Sequence, residues 1–340
     1  MIAAVLSAYG MEEKDCTVQP FGSGLINNTW KIIRGNNAFI LQRINDSVFK
    51  EPGHIASNIA LAGAYLKKNH PDYLFIQPVV TPAGEEMVLL QGNYFRMFPF
   101  VPGSHTIDIV TEPQQAFEAA RQFGAFTKKL SGLDSSALQI SLPDFHNLSL
   151  RYRQFEQALI EGNQQRINAA APEIALLKEY HTIVDIFEQI KQDPAFKLRV
   201  THHDTKISNV LFDDNDKGVC VIDLDTVMPG YFISDVGDML RTYLSPANEE
   251  ETNFSKIEVR KDYVAAIQKG YLSEMDDELT PKEKGAFIYA GKFMTYMQAL
   301  RFLTDHLNND SYYGATYEGH NLMRAKNQLT LLQQLSEIEN

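Results

Sequence analysis

Over the first hundred residues, apolar and polar positions alternate in short runs separated by turn residues. Val18 to Phe21, Thr29 to Ile33 and Ala38 to Arg43 each read as a strand, and Gly35-Asn36-Asn37 between the last two is a tight connection of the hairpin kind. From His54 to Lys68 the apolar set Ile55, Ile59, Ala62 and Leu66 recurs at three- and four-residue steps, which predicts one helical face. Glu86 to Leu90 and Tyr94 to Phe98 return to strand character. The predicted order is three strands, a helix and two strands.

The pattern changes at Pro99-Phe100-Val101-Pro102-Gly103, a stiff segment with two prolines that reads as a hinge. Beyond it, helical spacing runs over 114–130, 148–160, 173–192, 258–271, 282–305 and 322–338. Only the stretch from Arg199 to Ile222 interrupts, as one short strand and a hairpin of Val210 to Phe212 against Val219 to Ile222. The expected organisation is a sheet-bearing unit over 1–98, a hinge over 99–103 and a helical unit over 104–340.

Composition agrees with two such units. A chain of 340 residues exceeds what one hydrophobic core usually serves. With 44% hydrophobic residues it needs no disulfide or metal staples, and Cys16 and Cys220 lie too far apart to form a CxxC pair. The N-terminal run carries no basic segment and reaches acids within about ten positions, too soon for a signal or membrane segment. A cytoplasmic protein is expected, and monomer and dimer both stay open. With 43 acids against 31 bases, nucleic acid is not an expected partner.

Candidate chemistry concentrates where packing does not demand it. Thr201-His202-His203-Asp204-Thr205-Lys206-Ile207-Ser208-Asn209 crowds polar residues between two β-like runs, and Asp223 closes the following hairpin. The H-x-D-x-x-x-x-N spacing followed by an acid after a hairpin is that of a kinase catalytic loop. A carboxylate at Asp204 suits acceptance of a hydroxyl proton during transfer. An amide oxygen at Asn209 and a carboxylate at Asp223 suit Mg²⁺ shared with phosphate oxygens, because hard cations prefer oxygen ligands. Rival readings are an aspartyl-nucleophile phosphatase built on Asp223-Leu224-Asp225, a metal hydrolase using His202 and His203, and a catalytically silent binding module. The first is disfavoured because helices, not alternating strands, follow the motif; the second leaves Asn209 idle; the third ignores that Asp204, Asn209 and Asp223 are all present.

These residues resemble the aminoglycoside and choline kinase-like phosphotransferases, and the strings from Thr201 to Asp214 and Cys220 to Gly230 look most like the N-acetylhexosamine 1-kinase branch. The resemblance extends to Phe21–Trp30, Phe39–Asn45, Asn93–Ser104, Pro143–His146, Asp235–Arg241 and Ala299–Leu307, most of the chain. It implies an α+β, bilobal protein kinase-like fold, with a small antiparallel sheet and a mostly helical remainder, that uses ATP and Mg²⁺ to phosphorylate a small-molecule hydroxyl. The favoured acceptor is the anomeric hydroxyl of an N-acetylhexosamine, with aminoglycoside, choline and homoserine as alternatives.

By the same resemblance, Gly22, Ser23, Gly24, Asn27 and Thr29 belong to the nucleotide loop, and the segment from Phe98 through Phe100 to Val101 offers hinge backbone groups to adenine. The third strand is implied to carry a phosphate-binding lysine, yet this chain has Gln42 and Arg43 there. Arg43 is preferred because a guanidinium binds phosphate bidentately, although alternation alone leaves open which one faces the cleft. The predicted helix has no acid, and Glu51 precedes it. Lys206 and Thr226 are implied to point toward acceptor and phosphate, and Asp225 is a second metal ligand or a structural acid. Asp235 and Asp238 brace the loop or cap the next helix. Arg301 and Tyr312, with Tyr313 as the alternative, are implied to contact the sugar. Arg301 also stands one helical turn before Asp305, an i,i+4 pairing that would neutralise the acid and favour a neutral polyol.

Overall fold

The computed structural model describes residues 1–22 and 26–338. A short helix α1 (Ile2–Ala8) precedes strands β1 (Thr17–Pro20), β2 (Asn28–Arg34) and β3 (Asn37–Arg43). Helix α2 (Pro52–Asn69) and strands β4 (Val88–Leu90) and β5 (Asn93–Pro99) follow. The five strands form one antiparallel sheet in the order β1-β2-β3-β5-β4. The two-residue β2–β3 turn is possible because Gly35 adopts φ 58°, a left-handed value that costs an L-residue energy and glycine nothing.

Alternation gives the sheet two unlike faces. Ile32, Leu41, Phe95 and Met97 pack with Val5 and Leu6 of α1 into a small core of their own. Successive strand residues point to opposite faces, so Thr29, Lys31, Gln42, Arg96 and Phe98 face away from α1.

The rest is helical, interrupted by two small ribbons. Its elements are α3 (Pro113–Lys129), α4 (Leu148–Glu161), α5 (Gln164–Ala169), α6 (Ala171–Glu179), α7 (Thr182–Gln192), β6 (Arg199–Thr201), β7 (Val210–Phe212), β8 (Gly218–Val221), β9 (Met228–Gly230), α8 (Phe232–Tyr243), α9 (Lys261–Met275), α10 (Pro281–Gly285), α11 (Phe287–Leu307) and α12 (His320–Ser336). β7 pairs with β8 as the expected hairpin, whereas β6 pairs with β9, a partner hidden in Met228-Pro229-Gly230. The expected 173–192 helix is two, α6 and α7, because the apolar spacing runs on through a turn at Tyr180 and His181. The 282–305 helix also divides, after a Thr280–Glu283 capping box starts the short α10. Most of the large core lies here, with α8 and α11 at its centre. Among the described residues, no helix is long and apolar enough to cross a membrane.

Candidate functional site

The polar loop after β6 is held by the helix that follows the hairpin. Both carboxylate oxygens of Asp235 accept backbone N–H bonds, from His202 at 3.0 Å and His203 at 2.7 Å. Asp238 accepts from the Thr205 N–H at 2.8 Å, while the Thr205 hydroxyl donates to the Asp235 carbonyl at 2.7 Å. The Tyr243 hydroxyl donates to the Thr205 carbonyl, and Arg241 ties Asp238 to Glu249 at 3.0 Å each. The N-cap of α8 is Tyr231, without a side-chain cap bond, so of the two expectations for Asp235 and Asp238 the structure carries the bracing contacts. Burial pushes the Asp235 carboxyl up to about 7 against the pull of its two N–H donors.

The histidines are built into this frame. His202 Nε2–H donates to the Ile222 carbonyl at 2.9 Å, stapling the loop to the hairpin, and its ring packs edge-on against Phe123 with centroids 5.1 Å apart. His203 adopts φ 67° and lies with its Nδ1 3.1 Å from the Thr201 hydroxyl. Burial lowers both, His203 to about 4, so both rings are neutral at pH 7.

Asp204 emerges from the loop about a quarter exposed, at 23%. It receives the Asn209 amide at 3.1 Å and the Lys206 ammonium at 3.2 Å. Asn209 also donates to the Asp204 carbonyl at 2.8 Å, which commits its nitrogen and leaves its oxygen as the group it can offer a hard cation. Burial opposes the charge on Lys206, but the acids Asp204, Asp223 and Asp238 hold its ammonium above the ordinary range. Asp223 follows the hairpin at φ 58°, a left-handed conformation that Asp tolerates better than most residues, and its side chain meets solvent. Close protein surroundings and the nearby carboxylates of Asp225 and Asp204 push it up to about 7, with Arg96 and Lys206 pulling the other way.

Asp225 is almost fully buried and faces the sheet. Asn27 donates to its Oδ2 at 2.8 Å and Arg96 forms an ion pair with its Oδ1. Among the described residues no three His, Cys, Asp or Glu side chains converge as a complete metal site. The donor set of Asn209, Asp223 and Asp225 is all oxygen and incomplete alone, which fits a Mg²⁺ that also takes phosphate oxygens.

Several expected positions are placed differently. Gln42 stands directly opposite Arg96 across the β3–β5 pair and accepts from it at 2.9 and 3.1 Å. Arg43 is on the other face, donating to Asn28 at 2.7 Å, because one step along a strand reverses side-chain direction. Arg43 is therefore not the strand's cleft-facing cation. Thr226 spends its hydroxyl on the His202 carbonyl at 2.6 Å, a contact inside the frame rather than toward an acceptor. The Phe100 N–H goes to the Ala38 carbonyl and the Val101 carbonyl accepts from Ser104, so these two hinge groups are spent within the chain. The Phe98 ring lies beside Arg96 at 5.0 Å, and Phe100 meets Phe21 edge-on at 6.2 Å under the Lys31 ammonium. Asn27 divides its amide between Asp225 and the Asn45 N–H, and Thr29 accepts weakly from Gln42 at 3.5 Å. Gly22 keeps φ 81°, with open space where a Cβ would stand; Ser23 and Gly24 lie outside the described residues.

Farther along the helical part, a cavity of about 310 Å³ is lined by Arg151, Gln154, Arg301, Asp305, Tyr312 and Tyr313, among others. The expected Arg301–Asp305 pair does not form. Asp305 is taken by the N–H groups of Tyr312 and Tyr313, at 2.7 and 2.9 Å, and by Asn321. Arg301 instead donates to Gln298 at 3.2 Å and lies 5.4 and 6.0 Å from the Tyr313 and Tyr312 ring centres. His146 stands between this cavity and the loop, its ring 5.3 Å from His203; burial, His203 and Arg301 all hold it neutral.

Sequence reasoning passed over Arg96, Lys31, Asn58 and Arg151. The first had a signal: a lone cation in the apolar strand Tyr94-Phe95-Arg96-Met97-Phe98 asks for a buried partner. Asn58 had none; its amide donates to the Val227 carbonyl at 2.9 Å and ties α2 to the acid turn.

A family profile described as "Phosphotransferase enzyme family" matches residues 17–276. Among solved structures, the chain is similar to a microcompartment-associated aminopropanol kinase, with 15% identity, TM-score 0.67 and coverage of 98% of this chain and 95% of that one. It is also similar to an aminoglycoside phosphotransferase from Alicyclobacillus acidocaldarius, with 14% identity, TM-score 0.64 and coverage of 98% and 95%. A spectinomycin phosphotransferase in complex with ADP and spectinomycin matches at 12% identity and TM-score 0.59, with coverage of 99% and 98%. These likenesses carry the bilobal kinase-like fold.

Proposed function

The chain belongs to the phosphotransferase enzyme family, and we propose from that premise that it transfers the γ-phosphoryl of ATP to the anomeric hydroxyl of an N-acetylhexosamine. The observation that carries the transfer chemistry is Asp204, held by Asn209 and Lys206 beside Asp223 on a loop whose backbone α8 fixes. Asp204 accepts the acceptor's proton as the new phosphorus–oxygen bond forms. The Lys206 ammonium, next to it, compensates charge on the group being transferred. Asn209, Asp223 and Asp225 would hold Mg²⁺, which when bound draws negative charge from the phosphate oxygens. With little covalent chemistry to perform, the protein contributes mainly by positioning and by charge stabilisation. The division at residues 98 and 103 into nucleotide lobe, hinge and acceptor lobe belongs to the same reading, as does a cytoplasmic location, which two free cysteines suit.

The cavity beside Arg301 supports a hydroxylic acceptor. Among the described residues neither Arg151 nor Arg301 has a carboxylate partner; they donate to Gln154 and the Asp144 carbonyl, and to Gln298. The cavity is lined by two guanidinium groups and by the carboxylates of Glu161 and Asp305, the latter taken by backbone N–H groups; ring hydroxyls and an acetamido oxygen accept from the guanidinium groups without needing a net charge. Tyr312, 74% exposed, offers a ring to cover a sugar face.

Phosphorus NMR of the product formed from ATP and a panel of small hydroxyl compounds tests the assignment. The expected product is an acid-labile hexosamine 1-phosphate. A 6-phosphate, or preferential transfer to choline or kanamycin, overturns the sugar 1-kinase reading.

A further inference from the structure

We infer that Arg96 is the nucleotide-phosphate cation of this sheet, taking from the neighbouring strand the place of a lysine that β3 does not have; the inference rests on the phosphotransferase reading above. Gln42 occupies the cleft-facing position of β3, and Arg96 is its registered partner on β5. A lysine at position 42 would press an ammonium against this guanidinium. Gln42 instead turns its carbonyl oxygen to Arg96 and so orients it.

A donor count shows what the guanidinium still lacks. Arginine has five N–H donors in a rigid fork. The Nε–H goes to Gln42, and Nη2 is divided between Gln42 and Asp225. Nη1 is buried and has no acceptor among the described residues, on a side chain 2% exposed. Two buried hydrogens without an acceptor are unfavourable in any folded chain unless something arrives to accept them. Arg96 is paired with Asp225, two residues beyond Asp223, so the turn that would hold the metal also holds this cation. A nucleotide phosphate oxygen is an acceptor of the right charge, and bidentate guanidinium donation is suited to it.

The same arrangement explains the helix. α2 offers no acid, and its buried Asn58 reaches the acid turn only through the Val227 carbonyl. The charge partner of the sheet cation is Asp225 itself, which couples sheet and acid turn without the helix as intermediary. Asn27, on the other carboxylate oxygen, closes the connection from the β1–β2 side.

Calorimetric titration of the full chain with adenosine, ADP and ATP, in EDTA and then with Mg²⁺, tests the assignment. For Arg96→Gln, the Kd of ADP and of ATP is expected to rise about tenfold or more, the size of one lost charge-assisted hydrogen bond. Adenosine, which has no phosphate, should stay within about twofold. Moving the cation back across the strand pair in Gln42→Lys/Arg96→Gln should recover most of the ADP affinity. If Arg96→Gln does not fold, Arg96→Gln/Asp225→Asn removes both buried charges and is titrated in EDTA alone against Asp225→Asn, so that the loss of a metal-holding carboxylate does not enter. Parallel weakening of adenosine and ADP, or ADP affinity equal to the parent's, overturns the inference. A parent that binds ADP but phosphorylates no hydroxyl compound breaks the functional reading instead and leaves the assignment of Arg96 standing.

Discussion

On the proposed reading, the loop at Asp204 and the sheet face at Arg96 solve the same problem, placing charge beside phosphate, in opposite ways. In the loop, Asp204 and Asn209 are five residues apart and meet because one short segment is locked by α8, so spacing along the chain is spacing in space. In the sheet, Gln42 and Arg96 are 54 residues apart and meet only through strand register. A local motif keeps its residues in place or loses its geometry. A registered pair can pass a role from one strand to its neighbour and leave the old position looking empty.

The largest expected effect tests the loop. Asp204→Asn keeps the shape and the Asn209 contact region while removing the proton acceptor, so kcat should fall about 10²-fold or more with ADP affinity unchanged. Steady-state kinetics with titration calorimetry checks both halves. Activity within a few-fold of the parent would mean that the spacing has produced a polar turn and nothing more.

A second test asks how far the loop depends on its buried rings. His203 has a folded pKa of about 4 against an ordinary 6.5, so between these values the unfolded chain binds a proton that the native one refuses. Its neutral burial is free of cost above pH 6.5, and the penalty grows as pH falls, levelling off near pH 4 at about 3 kcal/mol at most. His203→Asn removes the titration and suits the left-handed backbone there. The parent's stability advantage over this variant, measured by denaturant unfolding, should shrink steadily from pH 7 to pH 4.5. A constant difference would show that the ring does not titrate in this window.

What the sequence made legible follows the same division. The five strands of the sheet and α2 came through because periodicity is local, and so did the polar loop, whereas α1, α5, α8 and β9 were not expected. The helix α8 was not among the expected helices; its acids, Asp235 and Asp238, were expected to brace the loop or cap a helix, and they turn inward to the loop from within the helix itself. Arg43 drew the phosphate role because the residue is right and only its face is wrong, and a face is settled by register. The Arg301–Asp305 pair failed for a related reason: helical spacing permits it, but the backbone of residues 312 and 313 claims the acid first.

Arg301 tests which logic governs the acceptor end, where α4, α11 and the segment after it converge. Arg301→Ala should raise the acceptor KM about tenfold, the size of one lost charged hydrogen bond, with the KM for ATP little changed. An equal rise in both would mean that the cavity supports the fold rather than the acceptor.

The smallest effect sharpens the comparison most, because two adjacent residues should behave unlike each other. Arg43 and Gln42 share a strand, and the cation is the one a sequence reader would choose. Arg43 donates to Asn28 on the face away from Arg96, an exposed contact of the kind whose loss seldom moves stability beyond about 0.5 kcal/mol. Arg43→Ala should therefore leave ADP affinity and kcat within about twofold of the parent. Gln42→Ala removes the carbonyl that accepts twice from Arg96, releasing the guanidinium from its orientation without removing its charge. ADP affinity should then fall several-fold, less than for loss of Arg96 itself. ADP titrations of the two alanine variants decide it: if Arg43→Ala is the more damaging, phosphate is read from the other face of β3, and the transfer of the role to β5 is wrong.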